Sequence, residues 1–166
     1  MGGYTPRALG NIVRPRRLVG APGRPLNFTV RCRSISVSTP KIIERVFALS
    51  ADVRYVAVRI NDALDLQQRA ELSNASASES DRYEELLVNP TVLSLTRERG
   101  RIDCGGLEFV LVRYGNFFQL VHPIVGGHIS IAISPTADPL SLLEPIRRIL
   151  AQEQLLPASN NRWRGP

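Results

Sequence analysis

In the second half of the chain, three alternating stretches follow one another with no helical period between them. Across 107–113, Leu107, Phe109 and Leu111 alternate with Glu108, Val110 and Val112, the period-two pattern of a half-buried strand. Tyr114, Gly115 and Asn116 supply turn chemistry, 117–121 reads as a second strand, and 123–127 turns the chain again. Residues 128–133 then set Ile129, Ile131 and Ile133 on one face of a third strand. The pattern predicts an antiparallel meander.

Upstream, the period changes. Thr39 is placed to cap a helix with Pro40 at its first position, and Ile42, Ile43, Val46, Phe47 and Leu49 form its apolar stripe. Residues 53–60 are apolar on both faces apart from Arg54 and Arg59, as an interior strand requires. Asn61, Asp62 and Ala63 form a short turn into a second strand over 64–72, whose Gln67, Gln68 and Arg69 suit a sheet edge. The small polar residues of 73–80 predict a loop, followed by a helix starting near Asp81 with Tyr83, Leu86 and Leu87 as its buried face. Asn89-Pro90 predicts a break and a second helical piece, capped by Asn89, carrying Val92, Leu93 and Leu95, and ended by Gly100. After the meander, the Ser141–Glu144 spacing predicts a capping box ahead of Ile146, Ile149 and Leu150, in a helix running to Gln154. The predicted order is α-β-β-α-β-β-β-α.

Composition divides the chain. Arg and Lys number 21 against 15 Asp and Glu, for a net charge of +6. Up to residue 43, however, seven arginines and Lys41 meet no acid. Prolines and glycines punctuate residues 1–38 with no period able to bury a face, so this segment reads as a basic, disordered tail, 39–154 as the folded domain and 155–166 as an extension. Arg14, Arg16, Arg17, Arg24, Arg31 and Arg33 could track phosphates in a nucleic acid or another polyanion, with steep salt dependence. They lack the aromatic series that stacks on bases. Cys32 and Cys104 have no paired spacing, which favours a reducing, cytoplasmic setting over a disulfide framework. No apolar run approaches the roughly 18 residues of a membrane span.

The 40–47 helix leading into the 53–60 strand, the Gly105-Gly106 entry to 107–113, and the 128–133 strand passing into the 139–150 helix together resemble the Roadblock family, the dynein light-chain relatives of the profilin-like and longin-like fold group. That resemblance implies an α+β fold, a five-stranded antiparallel sheet sandwiched by helices. It also implies a homodimer paired through the second helix and the strand after it, which here places Tyr83, Leu86, Leu87, Leu93, Glu108, Val110 and Val112 at the interface. Members act as scaffolds and regulators, small GTPases being among their partners. The resemblance implies no cofactor.

No catalytic constellation is legible. His122 and His128 flank the 123–127 turn, where hairpin partners would hold Cβ atoms about 4.5–5.5 Å apart, but no third metal ligand is spaced to join them. Ser130 shares only a strand face with His128, and Cys104 reads as a small residue entering a strand rather than an activated thiol. Gly105-Gly106 and Gly126-Gly127 neither precede Lys-Ser/Thr nor open a helix, so they read as turns and not phosphate loops. The expectation is a non-enzymatic protein.

Overall fold

The strand that is apolar on both faces lies inside the sheet. In the computed structural model, which describes residues 37–70 and 78–157, β1 (Val53–Ile60) pairs with β2 (Ala63–Gln68) on one side and β5 (Gly127–Ile133) on the other. β4 (Phe118–Ile124) and β3 (Val110–Arg113) complete a sheet of order β2-β1-β5-β4-β3, antiparallel throughout. The helices are α1 (Thr39–Phe47), α2 (Ser78–Tyr83), α3 (Asn89–Asp103) and α4 (Leu143–Gln152), with a π-helical turn (Glu84–Val88) joining α2 to α3 and a 3-10 turn (Pro139–Leu142) before α4. The expected order and the five-stranded antiparallel sheet are both present.

The two faces of the sheet differ in chemistry. On one, Val56, Val58, Leu120, Ile129, Ile131 and Ile133 meet Ile42, Ile43 and Val46 of α1 and Ile146, Ile149 and Leu150 of α4 in one core cluster. Burying each such side chain contributes about 1.5–3 kcal/mol, so this is the apolar core. The other face presents Tyr55, Ala57, Gln119, His128, Ser130 and Ala132, all buried, to the helical run from α2 to α3. Close approach of β1 to β5 depends on Gly127, where a Cβ would fall 1.9 Å from the Arg59 carbonyl oxygen.

Several boundaries differ from the sequence expectation. Ser38, not Thr39, is the N-cap residue of α1, because the Thr39 hydroxyl donates instead to Asp65 of β2. β2 stops at Gln68 rather than reaching residue 72. Beyond it, Arg69 turns inward, its guanidinium donating to the carbonyls of Val53, Phe47 and Ser50 at 2.6, 2.9 and 2.8 Å. The turn between β1 and β2 lacks glycine, and Asn61 takes its positive φ of 53°, as Asn tolerates.

The helix does not break at Asn89-Pro90. Asn89 has helical angles, φ −58° and ψ −47°, and its N–H donates to the Glu84 carbonyl five residues back. This wider π turn relieves the clash a proline ring makes with the turn before it. Gly100 likewise lies inside α3 and does not end it. A Cβ there would sit 2.9 Å from the Gly106 carbonyl carbon, and the Gly106 N–H donates to the Gly100 carbonyl at 3.0 Å. That bond ties the chain to α3 and delays β3, which starts at Val110 and leaves Glu108 outside the paired strand.

β4 runs on through His122 and Pro123, leaving only Val125 and Gly126 to turn. In the resulting register His122 pairs with Ile129 and Pro123 with His128, so the histidines face opposite sides of the sheet and cannot share a metal. At the last helix, Asp138 is the cap, accepting from the Leu140 N–H at 3.0 Å. Ser141 donates to the Asp138 carbonyl instead of forming a box with Glu144. α4 ends at Gln152, and Gln154 at φ 56° lets the Leu155 N–H reach back to the Leu150 carbonyl at 2.9 Å, a Schellman closure.

Candidate functional site

The run from α2 to α3 packs on its sheet with its polarity reversed. Glu85, Asn89 and Leu93, four residues apart, are 0%, 4% and 3% exposed, whereas Tyr83, Leu86 and Leu87 are 61%, 41% and 55% exposed. The expected buried face therefore points outward, and a carboxyl and an amide point inward.

The sheet explains why the inversion is tolerated. The Glu85 carboxyl accepts from the Tyr55 hydroxyl at 3.2 Å, from Asn89 Nδ2 at 3.1 Å and from the Ser130 hydroxyl, and it lies 2.8 Å from His128 Nε2. Ser130 in turn accepts from Gln119 Nε2 at 3.0 Å. Among the described residues no buried side-chain nitrogen or oxygen lacks a partner, which is the condition for tolerating such a network away from water. Burial and the neighbouring Glu85 push the Tyr55 phenol far above its ordinary range, so it remains a donor. Glu84, next along, is raised by burial even though Tyr114 hydrogen-bonds it at 3.1 Å.

Outside this anchor lies the edge of the sheet. Among the described residues, β3 is paired with β4 alone. Val110 and Val112 are half-buried on the face that carries the helix, and with Val88, Val92, Leu93 and Val121 they line a groove of about 160 Å³. Tyr83, Leu86 and Leu87 lie on the helix above it. Leu93 belongs to the packed side and is not free on the surface. Glu108 is exposed before β3 and pairs with Arg147 at 2.7 Å. Further along α3, Leu95 and Ile102 are 69% and 76% exposed. Arg14, Arg16, Arg17, Arg24, Arg31 and Arg33 lie outside the described residues.

Groups with catalytic potential are otherwise engaged. Ser130 donates to Glu85 and not to an imidazole. The Cys104 thiol is raised above its ordinary value by its hydrogen bond to Asp103, which opposes thiolate formation. Burial holds His122 low, against a backbone bond to Pro123.

The network that inverts the helix was not legible in the sequence. The signal was present as Glu85, Asn89 and Leu93 at helical spacing, but the π turn and the proline hid it.

By sequence, no family model and no curated protein matches the chain. By structure, it is similar to the crystal structure of a Roadblock/LC7 domain from Streptomyces avermitilis, at 12% identity and a TM-score of 0.56, over 71% of this chain and 96% of that one. The fold of this chain is that of a Roadblock/LC7 domain.

Proposed function

We propose that the protein is a non-enzymatic, Roadblock-like scaffold or regulatory module that acts as a homodimer. The observation that carries this reading is the outward apolar face of Tyr83, Leu86 and Leu87 beside a β3 edge that no other described strand pairs. A helix that turns its carboxyl toward its own sheet and its leucines toward solvent has its apolar surface placed for association rather than for folding. Pairing of β3 with β3 of a second copy about a twofold axis extends the sheet and brings the two outward helix faces together, an isologous contact. The dimer then presents a continuous surface to a protein partner, for which a small GTPase is the first candidate.

Sedimentation equilibrium of the full chain tests the dimer. A dimer at micromolar concentration that Val110→Asp converts to a folded monomer supports it, and a wild-type monomer at that concentration overturns it. Binding to small GTPases loaded with GDP or a GTP analogue tests the partner, and equal absence of binding in both states removes that assignment.

A further inference from the structure

At the end of the sheet away from the Tyr114–Phe117 turn, a second surface carries a different chemistry. The Asn61 N–H donates to the Gly126 carbonyl at 2.8 Å, joining the β1–β2 turn to the β4–β5 turn. Over these turns the second half of α3 forms the wall of a groove of about 470 Å³, lined by Arg59, Asn61, Ser94, Arg97, Arg101 and Glu98 among others. Arg59 comes from the end of β1, and Arg97 and Arg101 lie one turn apart on α3. The guanidinium groups therefore enter from two separate elements.

The charges in the groove are not balanced. Glu98 pairs with Arg101 at 3.2 Å, both about 70% exposed. Arg97 makes one long bond, 3.5 Å, to the Gly127 carbonyl. The Arg59 guanidinium has neither a hydrogen bond nor an ion pair with any described residue, although its backbone is paired in the sheet. Past the β4–β5 turn the groove opens into a wider cleft that shares Arg97 and Arg101 and adds Arg147, whose carboxylate partner is Glu108. The acids that line the groove and the cleft, Glu98 and Glu108, are thus each matched to an arginine, Asp62 of the β1–β2 turn lines neither, and Arg59 and Arg97 are left over. The support beneath them is stiff: Gly127 brings β5 against the Arg59 carbonyl, and His128, beside Arg59 in the register, is fixed by Glu85.

Guanidinium forks match phosphate oxygens in pairs, and two of them held on opposing walls suit an anion with more than one charged group. Asn61 and Ser94 add neutral donors. We propose that the groove between the end of β1 and α3 binds a small free anion carrying two or more phosphate groups, held by Arg59 and Arg97. Arg59 and Arg97 are not among the residues assigned to the proposed homodimer, although Leu93 lines both this groove and the one beside β3.

The test uses the full chain, labelled with ¹⁵N and titrated with sodium pyrophosphate, and with sulfate at matched ionic strength. The expected result is saturable movement of the Asn61, Gly126, Gly127 and Arg97 amide signals with pyrophosphate and little movement with sulfate. Arg59→Gln with Arg97→Gln weakens pyrophosphate at least tenfold, whereas Arg14→Gln, Arg16→Gln and Arg17→Gln together leave it unchanged. Pyrophosphate acting no more strongly than sulfate overturns the proposal, as does movement confined to the N-terminal segment. Tighter binding of a ten-nucleotide oligothymidylate at the same amides overturns the assignment to a small free anion. If the double variant does not fold, the wild-type signal map decides alone.

Discussion

Glu85 Oε2 and His128 Nε2 lie 2.8 Å apart, with side chains 0% and 3% exposed, and this contact fastens the helical run to a sheet face that has little apolar surface to offer. Removing the carboxyl strands Tyr55, Asn89, Ser130 and His128 together. Glu85→Ala is expected to lower stability by about 3–5 kcal/mol, and Glu85→Gln, which keeps the shape and one acceptor, by about 1–2 kcal/mol. Urea unfolding midpoints of the two variants measure the difference. Equal midpoints for wild type and Glu85→Ala would show that the network holds nothing.

Leu87 should behave in the opposite way. It is 55% exposed, so Leu87→Glu is expected to change the stability of the folded chain by no more than about 0.5 kcal/mol. In the proposed homodimer it is expected to raise the dissociation constant at least tenfold, which corresponds to about 1.4 kcal/mol. Sedimentation and thermal melts on the same sample separate the two effects. A loss of stability with an unchanged dissociation constant would place Leu87 in the fold and not in the interface.

The pH response has a sign fixed by His122. Burial holds its imidazole below the ordinary value of 6.5, so as pH falls the unfolded chain takes up that proton before the folded one. The stability it contributes is complete above 6.5 and is lost through the window beneath. Glu84 acts in reverse: its carboxyl is raised by burial, so its contribution is complete below its ordinary value of 4.5 and is lost as pH climbs above it. His122→Leu should therefore lose stability less steeply than wild type as pH falls below 6.5, read as the difference between two melting curves. Parallel curves would dismiss the histidine as the source.

Two glycines make steric predictions. Gly127→Ala sets a Cβ 1.9 Å from the Arg59 carbonyl oxygen, a backbone-to-backbone clash that is expected to cost about 3 kcal/mol or more. Gly100→Ala meets the Gly106 backbone at 2.9 Å and is expected to cost about 1–3 kcal/mol. Chemical denaturation of both variants checks the order, and Gly100→Ala as the worse of the two would contradict it.

The sheet was readable because its signals are local. Ile129, Ile131 and Ile133 alternate, and 53–60 is apolar on both faces, so the inner strands declare themselves from composition alone. The outward apolar face depended on relations that no short window contains. Glu85 reads as one more solvated acid until Tyr55, Ser130 and His128 arrive from two other strands. Pro90 reads as a break because proline usually is one, and only the Asn89-to-Glu84 bond shows the helix widening to keep it. The histidines were misjudged by where the turn was set: a five-residue turn puts them opposite each other, whereas the observed two-residue turn sends them to different faces.

The two margins of the sheet are unlike. β2 carries Asp65 and Gln67 on the α1 face of the sheet, with Asp65 already engaged by Thr39, whereas β3 offers Val110 and Val112. A charge on a bare strand discourages another chain from docking there. Head-to-tail joining of β3 onto β2 is thereby disfavoured, and the molecule has one sticky margin and one inert one. The proposed pairing of β3 with β3 would therefore close at two copies and not propagate into a fibre.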